Sequence, residues 1–376
     1  MLRFITAVFL GSIILFPAPA DEGGLSLTFV GDIMAHNVNY LMKDYSDIYK
    51  DVKEYFLHDD LSFGNLEFPV VQDLPLSTYP QFNVHRNYVR AAIDAGFDVF
   101  SLANNHTRDR GEEEVLKTLA SLVVLKEERK GGIYYSGIRG NVTRPFAPVM
   151  IRRNGFRIGF LAATQFLNIA QKQPRINVVD YRNKKETAAF LKWIASIAPH
   201  YDLFVFSYHG DEEFKLKPNP VKQNFFRDLV RAGVHIVWGH HPHVIEPYET
   251  ITVNGHRRLI MYSMGNFISG MAYPYPPTRP EAIRSYVGDG MILPVRAVWG
   301  RDGDADVIPG EPVFIAAYRE PDNDVVVRKL ETLAASELPG KWQSYYQKRL
   351  AINKKFIKEM PSYLNKEPAA PGRTAE

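Results

Sequence analysis

The chain has 376 residues, of which 45% are hydrophobic and 23% charged, a globular balance that excludes a disordered or fibrous protein. Its 45 Lys and Arg residues against 42 Asp and Glu leave a formal net charge of +3, which gives no electrostatic footprint for nucleic acid. The lack of cysteine excludes disulfide frameworks, Cys-ligated zinc, Fe–S clusters and a thiol nucleophile. A metal site in this chain would therefore use His, Asp, Glu and Asn.

The first 20 residues have the pattern of a secretory signal. Arg3 supplies a positive charge, residues 4–16 form an apolar run, and Ala18 and Ala20 are the small residues that a signal peptidase reads. We expect cleavage before Asp21 and a secreted protein that is periplasmic or otherwise extracytoplasmic. The alternative is an uncleaved N-terminal membrane anchor, although the run is shorter than the about 20 residues of an ordinary spanning helix.

From residue 21 onward, apolar runs of strand length alternate with helical patterns. The pattern predicts strands at 25–30, 61–68, 97–102, 203–207 and 234–238, and helices at 37–54, 88–95, 112–125, 184–197 and 223–232. Asn-Gly pairs at 154–155 and 254–255 predict two β-hairpins, over 149–162 and 246–262, and a further β region covers 290–317. Helices are predicted at 329–333 and 341–359. The fold class is therefore α/β, a sandwich of mixed sheets with helices outside.

This organisation divides the chain into three parts. Residues 1–20 are the signal segment, residues 21–320 form the main domain, and residues 321–376 are a helical C-terminal extension that ends in a tail.

Five clusters of polar residues each follow an apolar run of strand length: Gly31–Asp32, 65–67, 104–106, His209–Gly210 and 239–243. Ligands bind beyond the carboxyl ends of strands in open α/β sheets, so we expect these clusters to meet in space. Carboxylate, amide and imidazole groups together are a donor set that suits Zn, Mn, Fe or Mg. The sequence thus predicts a centre with one or two divalent metal ions.

The histidines of the chain differ in their context. His241 and His243 lie in an extended His-Pro-His segment, which would point both rings to one side and turn His240 away. The remaining histidines that follow no such strand are expected to be structural or exposed: His36, His58, His85, His200, His235 and His256.

The ordered motifs resemble the CapA-type capsule synthesis proteins, also called the poly-γ-glutamate synthesis family. The matching stretches are FVGDIM (29–34), FGNLEFPV (63–70), SLANNHTRDRG (101–111), SYHGDEE (207–213), WGHHPHVIEP (238–247) and YSMGNF (262–267). These proteins look like a branch of the calcineurin-like metallophosphoesterase superfamily. The resemblance implies a sandwich of two mixed β-sheets flanked by helices, with a metal site at the strand ends.

The resemblance also implies roles for single residues. The expected metal ligands are Asp32, Glu67, Asn105, His209, His241 and His243, with Glu67 in the bridging position. The expected catalytic residues are Asn105, which would bind the substrate's oxyanion, His106, which would contact the leaving group, and Asp109, which would orient His106. Glu212 and Glu213 would either bind substrate amines at the rim or lie in an exposed loop. Asn266 would lie in a turn or face the pocket.

Three positions depart from the phosphoesterase pattern. Met34 stands where a histidine ligand is usual, Thr107 where an acid is common, and Glu67 where a bridging Asp is usual. These departures favour the capsule-synthesis branch.

The implied function is that of an exported, metal-dependent hydrolase or transferase acting on an anionic cell-envelope polymer, through a glutamyl or peptide substrate. A membrane synthase complex is a possible partner, and nucleic acid is not. Two alternatives stay open: a general metallophosphoesterase, and a non-catalytic binding subunit of a polymer synthesis or export complex.

Overall fold

A computed structural model describes residues 23–143, 146–171, 174–271 and 277–366. Its strands are β1 (Leu25–Ile33), β2 (Leu61–Leu66), β3 (Val99–Ser101), β4 (Tyr134–Ser136), β5 (Val149–Arg153), β6 (Phe156–Thr164), β7 (Leu203–His209), β8 (Ile236–His240), β9 (Tyr248–Val253), β10 (His256–Met261), β11 (Asn266–Ile268), β12 (Asp289–Trp299), β13 (Ala305–Pro309), β14 (Val313–Arg319) and β15 (Val325–Lys329).

The helices are α1 (Asn37–Tyr40), α2 (Glu54–Leu57), α3 (Arg86–Asp94), α4 (Glu112–Glu128), α5 (Lys184–Ile197), α6 (Pro220–Arg231), α7 (Ile283–Tyr286), α8 (Leu330–Ala335) and α9 (Trp342–Tyr363). Two short 3-10 helices cover Tyr45–Tyr49 and Ala198–His200.

The strands form two mixed sheets. The first has the order β15-β14-β12-β1-β2-β3-β4, with β11 beside β1 and β13 beside β12, and its strands β1 to β4 run parallel. The second has the order β5-β6-β7-β8-β10-β9, in which β6, β7, β8 and β10 run parallel. The expected α/β class, with two mixed sheets and a C-terminal helix, is confirmed.

Aromatic side chains fill the space between the two sheets. Phe63 of the first sheet packs edge-on against Phe160 of the second, with ring centroids 5.8 Å apart. Trp238 contacts Phe29 in the same layer and donates its indole N–H to the carbonyl oxygen of Val30 at 2.9 Å. Because this bond satisfies a buried indole donor and joins β8 to β1, it fixes the two strand ends that carry polar residues.

The hairpins confirm the Asn-Gly predictions. Asn154 and Gly155 have φ of 45° and 82°, and Asn254 and Gly255 have φ of 52° and 90°. Two consecutive positive φ angles define the primed turn that joins antiparallel strands.

Two regions differ from the sequence prediction. In place of the helix expected over 37–54, the chain forms α1 and a 3-10 helix, where the Asp44 side chain accepts the backbone N–H of Ser46 and starts a new turn, and α2 begins only at Glu54. The C-terminal extension begins with β15, an edge strand of the first sheet rich in valine, before it becomes helical.

Helix α9 is joined to the sandwich by a buried ion pair. The guanidinium of Arg349, which is fully buried, donates through Nε to Asp289 at the start of β12 at 2.9 Å. Asn353 donates to the same carboxylate at 2.6 Å. The extension is thus packed against the sandwich.

The signal segment lies outside the described residues, so its cleavage and the export of the chain stay predictions. Within the described ranges, no helix combines the length and apolarity that crossing a membrane requires.

Candidate metal centre

Polar side chains from both sheets meet at the carboxyl ends of the parallel strands. Asp32 lies near the end of β1 and Glu67 follows β2, while His209 is the last residue of β7. All three side chains are fully buried. The loop after β8 adds His241 and His243 to the same place.

Short distances connect these side chains. His209 Nε2 lies 2.8 Å from Asn105 Oδ1, 3.2 Å from His241 Nδ1 and 3.6 Å from Glu67 Oε1. His243 approaches Glu67 Oε1 at 3.8 Å through Nε2. The predicted ligands Asp32, Glu67, Asn105, His209, His241 and His243 are therefore brought together, although their ligand roles remain predictions.

The ligand atoms divide into overlapping groups, each with its atoms within 4.8 Å of one another. One group is Glu67, His209 and His241, and another is Asp32, Glu67 and His243. Glu67 belongs to both, which is the position of a carboxylate that bridges two cations.

The hydrogen bonding of the Glu67 carboxylate tests whether these side chains fit a metal ion. Both oxygens are buried, and neither has a hydrogen-bond partner among the described residues. A buried carboxylate without donors is costly unless a cation pairs with it. The residues present therefore fit a centre for divalent metal ions.

Burial and neighbouring charges shift the pKa values of the side chains in this cluster. Burial alone would raise the pKa of Asp32, but hydrogen bonds from the rings of His240 and His243 hold that pKa well below its usual range. Burial, together with the charge of Asp32, raises the pKa of Glu67 well above its usual range. Burial lowers the pKa of His241 to about 3, so its imidazole is neutral and able to bind a metal.

The histidine loop differs from the extended segment that was expected. His241 and His243 have φ of 97° and 56°, so both residues adopt left-handed conformations. Their rings nevertheless lie 5.7 Å apart and face the same cluster. His240, which was expected to point away, lies with Nδ1 3.4 Å from Asp32 Oδ1.

The Asn-His pair lies beside the cluster. His106 Nδ1 contacts Asp109 Oδ2 at 2.7 Å, and the same carboxylate oxygen accepts the backbone N–H of Phe82 at 3.0 Å. Burial raises the pKa of Asp109, and the hydrogen bond from His106 opposes that rise. Asp109 thus holds the His106 ring at Nδ1, while the catalytic roles of both residues stay predictions.

Two asparagine side chains contact the predicted residues. Asn168, in the loop after β6, lies 3.3 Å from Asn105 and 3.4 Å from His106. Sequence reasoning missed it, because it belongs to none of the motifs. Asn266 is the first residue of β11. Its Oδ1 lies 2.9 Å from His243 Nδ1, so its side chain faces the site. Its signal in the sequence was its place in the motif YSMGNF.

A cavity of about 540 Å³ opens next to the cluster. Its lining residues are Met34, His36, Tyr79, His106, Glu213, Phe214, His243, Met271, Ile283, Arg284 and Val287. His36 was expected to be structural or exposed. It is half-buried in the cavity wall and makes a structural contact there, since its Nδ1 accepts the N–H of Gly270 at 3.0 Å, and burial lowers its pKa to about 4. Space for a substrate therefore lies beside His106 and His243.

The sandwich and this strand-end centre define a protein of the metallophosphoesterase-like superfamily. Residues 26–271 match the family model described as "Bacterial capsule synthesis protein PGA_cap", and the chain belongs to that family.

Two curated relatives support this assignment. The chain is 28% identical over 257 residues to "Capsule biosynthesis protein CapA" of Bacillus anthracis, a match that covers 65% of this chain and 59% of that protein. It is also 28% identical over 277 residues to "PGA biosynthesis protein CapA" of Bacillus subtilis (strain 168), covering 70% of this chain and 67% of that protein. The chain thus spans about three-fifths to two-thirds of the relatives it matches.

Among solved structures, the crystal structure of TT1561 of Thermus thermophilus aligns with 76% of this chain and 98% of that one, at 7% identity and a TM-score of 0.36.

Proposed function

We propose that this protein is an exported, metal-dependent hydrolase or transferase that acts on an anionic cell-envelope polymer of the poly-γ-glutamate type. The two curated relatives are named for capsule and PGA biosynthesis, which supports the polymer class. The signal pattern of residues 1–20 supports export. The observation that carries a catalytic role is the buried Glu67 carboxylate, shared by two ligand groups and placed near the His106–Asp109 pair.

Divalent ions held by Asp32, Glu67, Asn105, His209, His241 and His243 would supply Lewis-acid activation of water and of the scissile group. Asn105 would orient the substrate oxygen through its amide. His106, held at Nδ1 by Asp109, would deliver a proton from Nε2 to the leaving group. For a γ-glutamyl amide, water adds to the carbonyl carbon, the C–N bond breaks, and the released amine takes the proton.

The open wall of the cavity supports an anionic chain as substrate. Arg284 is exposed on this wall and offers a cation to a carboxylate, while Tyr79 and Phe214 supply apolar surface for the methylene groups of a glutamyl unit. Arg284→Ala should raise KM for a polyglutamate substrate and leave metal content unchanged. Arg301→Ala, an exposed arginine outside this wall, is the matched control.

Metal content provides the primary test. The purified protein should retain divalent metal by elemental analysis, and His209→Ala should lose it. His200→Ala, which removes an exposed histidine at the end of a 3-10 helix, should retain wild-type metal content. A wild-type protein that takes up no metal would leave only the role of a non-catalytic subunit.

Substrate class is tested by incubating the metal-loaded protein with poly-γ-glutamate and with a simple phosphodiester. Release of γ-glutamyl oligomers, detected by mass spectrometry and lost in His106→Ala, is the expected result. Turnover of the phosphodiester alone would instead favour a general metallophosphoesterase.

A further inference from the structure

Glu213 reaches the metal centre from the open side. It lies in the loop between β7 and α6 and is exposed, whereas the rings of His241 and His243 are buried. A carboxylate oxygen of Glu213 nonetheless lies within 4.8 Å of a ring nitrogen of each of these histidines, and the three form a group of metal-ligand geometry. This group lacks Glu67 and shares one histidine with each of the two groups that contain it.

The loop is anchored on both sides of Glu213. The N–H of Phe214 donates to the carbonyl oxygen of Pro242 at 2.9 Å, which fastens the loop directly to the histidine segment. Two residues before Glu213, the N–H of Asp211 donates to Gln165 Oε1 at 2.9 Å. The backbone therefore holds Glu213 beside the two histidines.

The loop conformation has its own cost, which buried contacts offset. Asp211 and Phe214 have φ of 103° and 62°, a region that residues with a side chain avoid. The Asp211 carboxylate accepts Tyr181 Oη–H at 3.1 Å and the N–H of Asn219 at 3.1 Å, and lies 3.5 Å from the ammonium of the fully buried Lys222. Strained residues held by such contacts occur at functional sites, and here they flank Glu213.

The ligand count shows what Glu213 would add. The group formed by Asp32, Glu67 and His243 offers three protein ligands, and the neighbouring wall residue Met34 has only a weakly coordinating thioether. Divalent metal ions in proteins take four to six ligands. A carboxylate next to His243 supplies a further donor on the side from which a substrate enters.

We propose that Glu213 is a direct ligand of a divalent metal ion, which it binds together with His241 and His243. This inference rests on the proposed metal-dependent function and extends its ligand set. Because Glu213 is exposed, its carboxylate can leave the ion at little cost when a substrate oxygen arrives. Glu213 thus occupies the coordination position at which a substrate oxygen can replace a protein ligand.

The test measures Mn²⁺ binding to the purified, chelator-stripped full chain by isothermal titration calorimetry and electron paramagnetic resonance. Glu213→Gln should weaken the binding of one Mn²⁺ at least about tenfold and change its resonance spectrum. Glu212→Gln removes the same charge from the exposed neighbour and should bind Mn²⁺ as the wild type does. Glu213→His, which restores a ligand without a carboxylate, should recover most of the affinity.

The outcomes separate this inference from the proposed function. If Glu213→Gln binds Mn²⁺ like the wild type while His209→Ala does not, the metal centre stands and the role of Glu213 is wrong. If Glu213→His stays as weak as Glu213→Gln, the carboxylate serves another purpose, such as holding a substrate ammonium. A wild type that binds no Mn²⁺ overturns the proposed function itself.

Discussion

Acidic side chains lie at both ends of the parallel strands of the first sheet, yet their surroundings differ. At the amino ends, Asp60 accepts the N–H and the hydroxyl of Ser26 at 2.8 and 2.9 Å, and Asp98 accepts the N–H of Ser62 at 3.0 Å. At the carboxyl ends, Glu67 finds no donor in the described part of the chain. The donors of Asp60 and Asp98 tie neighbouring segments of the fold together, whereas Glu67, with neither oxygen paired, is arranged for a group that binds there.

A third acidic side chain, Glu246, is buried but has a cationic partner within the chain. Glu246 is fully buried like Glu67, but it has a cationic partner, because the Lys222 ammonium lies 2.8 Å from its carboxylate. Burial raises the pKa of Glu246 to about 7 even though Lys222 opposes the rise. This pair shows what a buried acid of this region looks like when the chain itself supplies the cation.

The largest expected effect comes from turning Glu246 into an unpaired acid. Lys222→Met should lower the free energy of unfolding by about 3–5 kcal/mol, because it leaves a buried carboxylate without its counter-charge. Urea unfolding followed by circular dichroism measures the loss. Lys217→Met, which changes an exposed lysine nearby, is the control and should change stability by less than about 0.5 kcal/mol.

A double variant sharpens this prediction. Lys222→Met combined with Glu246→Leu should recover part of the lost stability, since the Glu246 charge is gone and Asp211 keeps its hydrogen bonds from Tyr181 and Asn219. A single variant that unfolds like the wild type would mean that Glu246 does not need its lysine, and the contrast with Glu67 would lose its basis.

The amino-end acids give the next largest effect. Asp60→Ala removes the acceptor of two Ser26 donors and of the Asn154 side chain at 2.7 Å, and should lower the free energy of unfolding by about 2 kcal/mol. Metal affinity should stay unchanged, because Asp60 lies at the opposite end of the strands from the centre. Urea unfolding and Mn²⁺ titration on the same sample check both statements, and a loss of metal binding would contradict the division between the two ends.

The residues of the centre that the sequence could predict are those that directly follow a strand. Asp32, Glu67 and His209 follow apolar runs long enough to identify as strands, and parallel strand ends meet at one edge of a sheet. The family match extends from 26 to 271 and covers all of these motifs.

The loop residues of the centre could not be predicted in the same way. Asn168 reaches His106 across 62 residues of sequence, and no local pattern encodes that contact. His241 and His243 were expected in an extended segment, because the sequence pattern shows the spacing of the two residues but not their φ angles, which are positive. Strand β15 was missed because the change of pattern at Val325 suggested an extension outside the sheet.

A smaller, pH-dependent effect is expected at Asp59, next to the amino end of β2. Burial raises the pKa of Asp59 to about 7, with Asp98 and Asp60 adding to the rise and a hydrogen bond from the Ser62 hydroxyl opposing it. The folded chain therefore holds a proton that the unfolded chain releases near 3.8, the ordinary value. The stability contributed by this group is present below that value and is lost as pH rises through about 7.

Asp59→Asn keeps the acceptor for Ser62 and removes the titration. The variant should match the wild type at low pH and exceed its free energy of unfolding by about 1–2 kcal/mol at pH 8. Urea unfolding at both pH values gives the comparison. Since Asp98 titrates in both proteins, the difference between them isolates Asp59, and an equal difference at both pH values would contradict the assignment.

The smallest effect has the opposite sign and concerns Glu67. In the chelator-treated protein at pH 7, Glu67→Gln should raise the free energy of unfolding by about 1 kcal/mol, because the amide is neutral, whereas burial disfavours the ionised form of Glu67 and no donor compensates for it. Addition of Mn²⁺ should then stabilise the wild type and leave the variant unchanged, since ligand binding to the folded state adds to stability. Urea unfolding with and without Mn²⁺ measures both differences. If Glu67→Gln destabilises the chelator-treated protein as Asp60→Ala is expected to do, then Glu67 supports the fold like the amino-end acids and is not reserved for a cation.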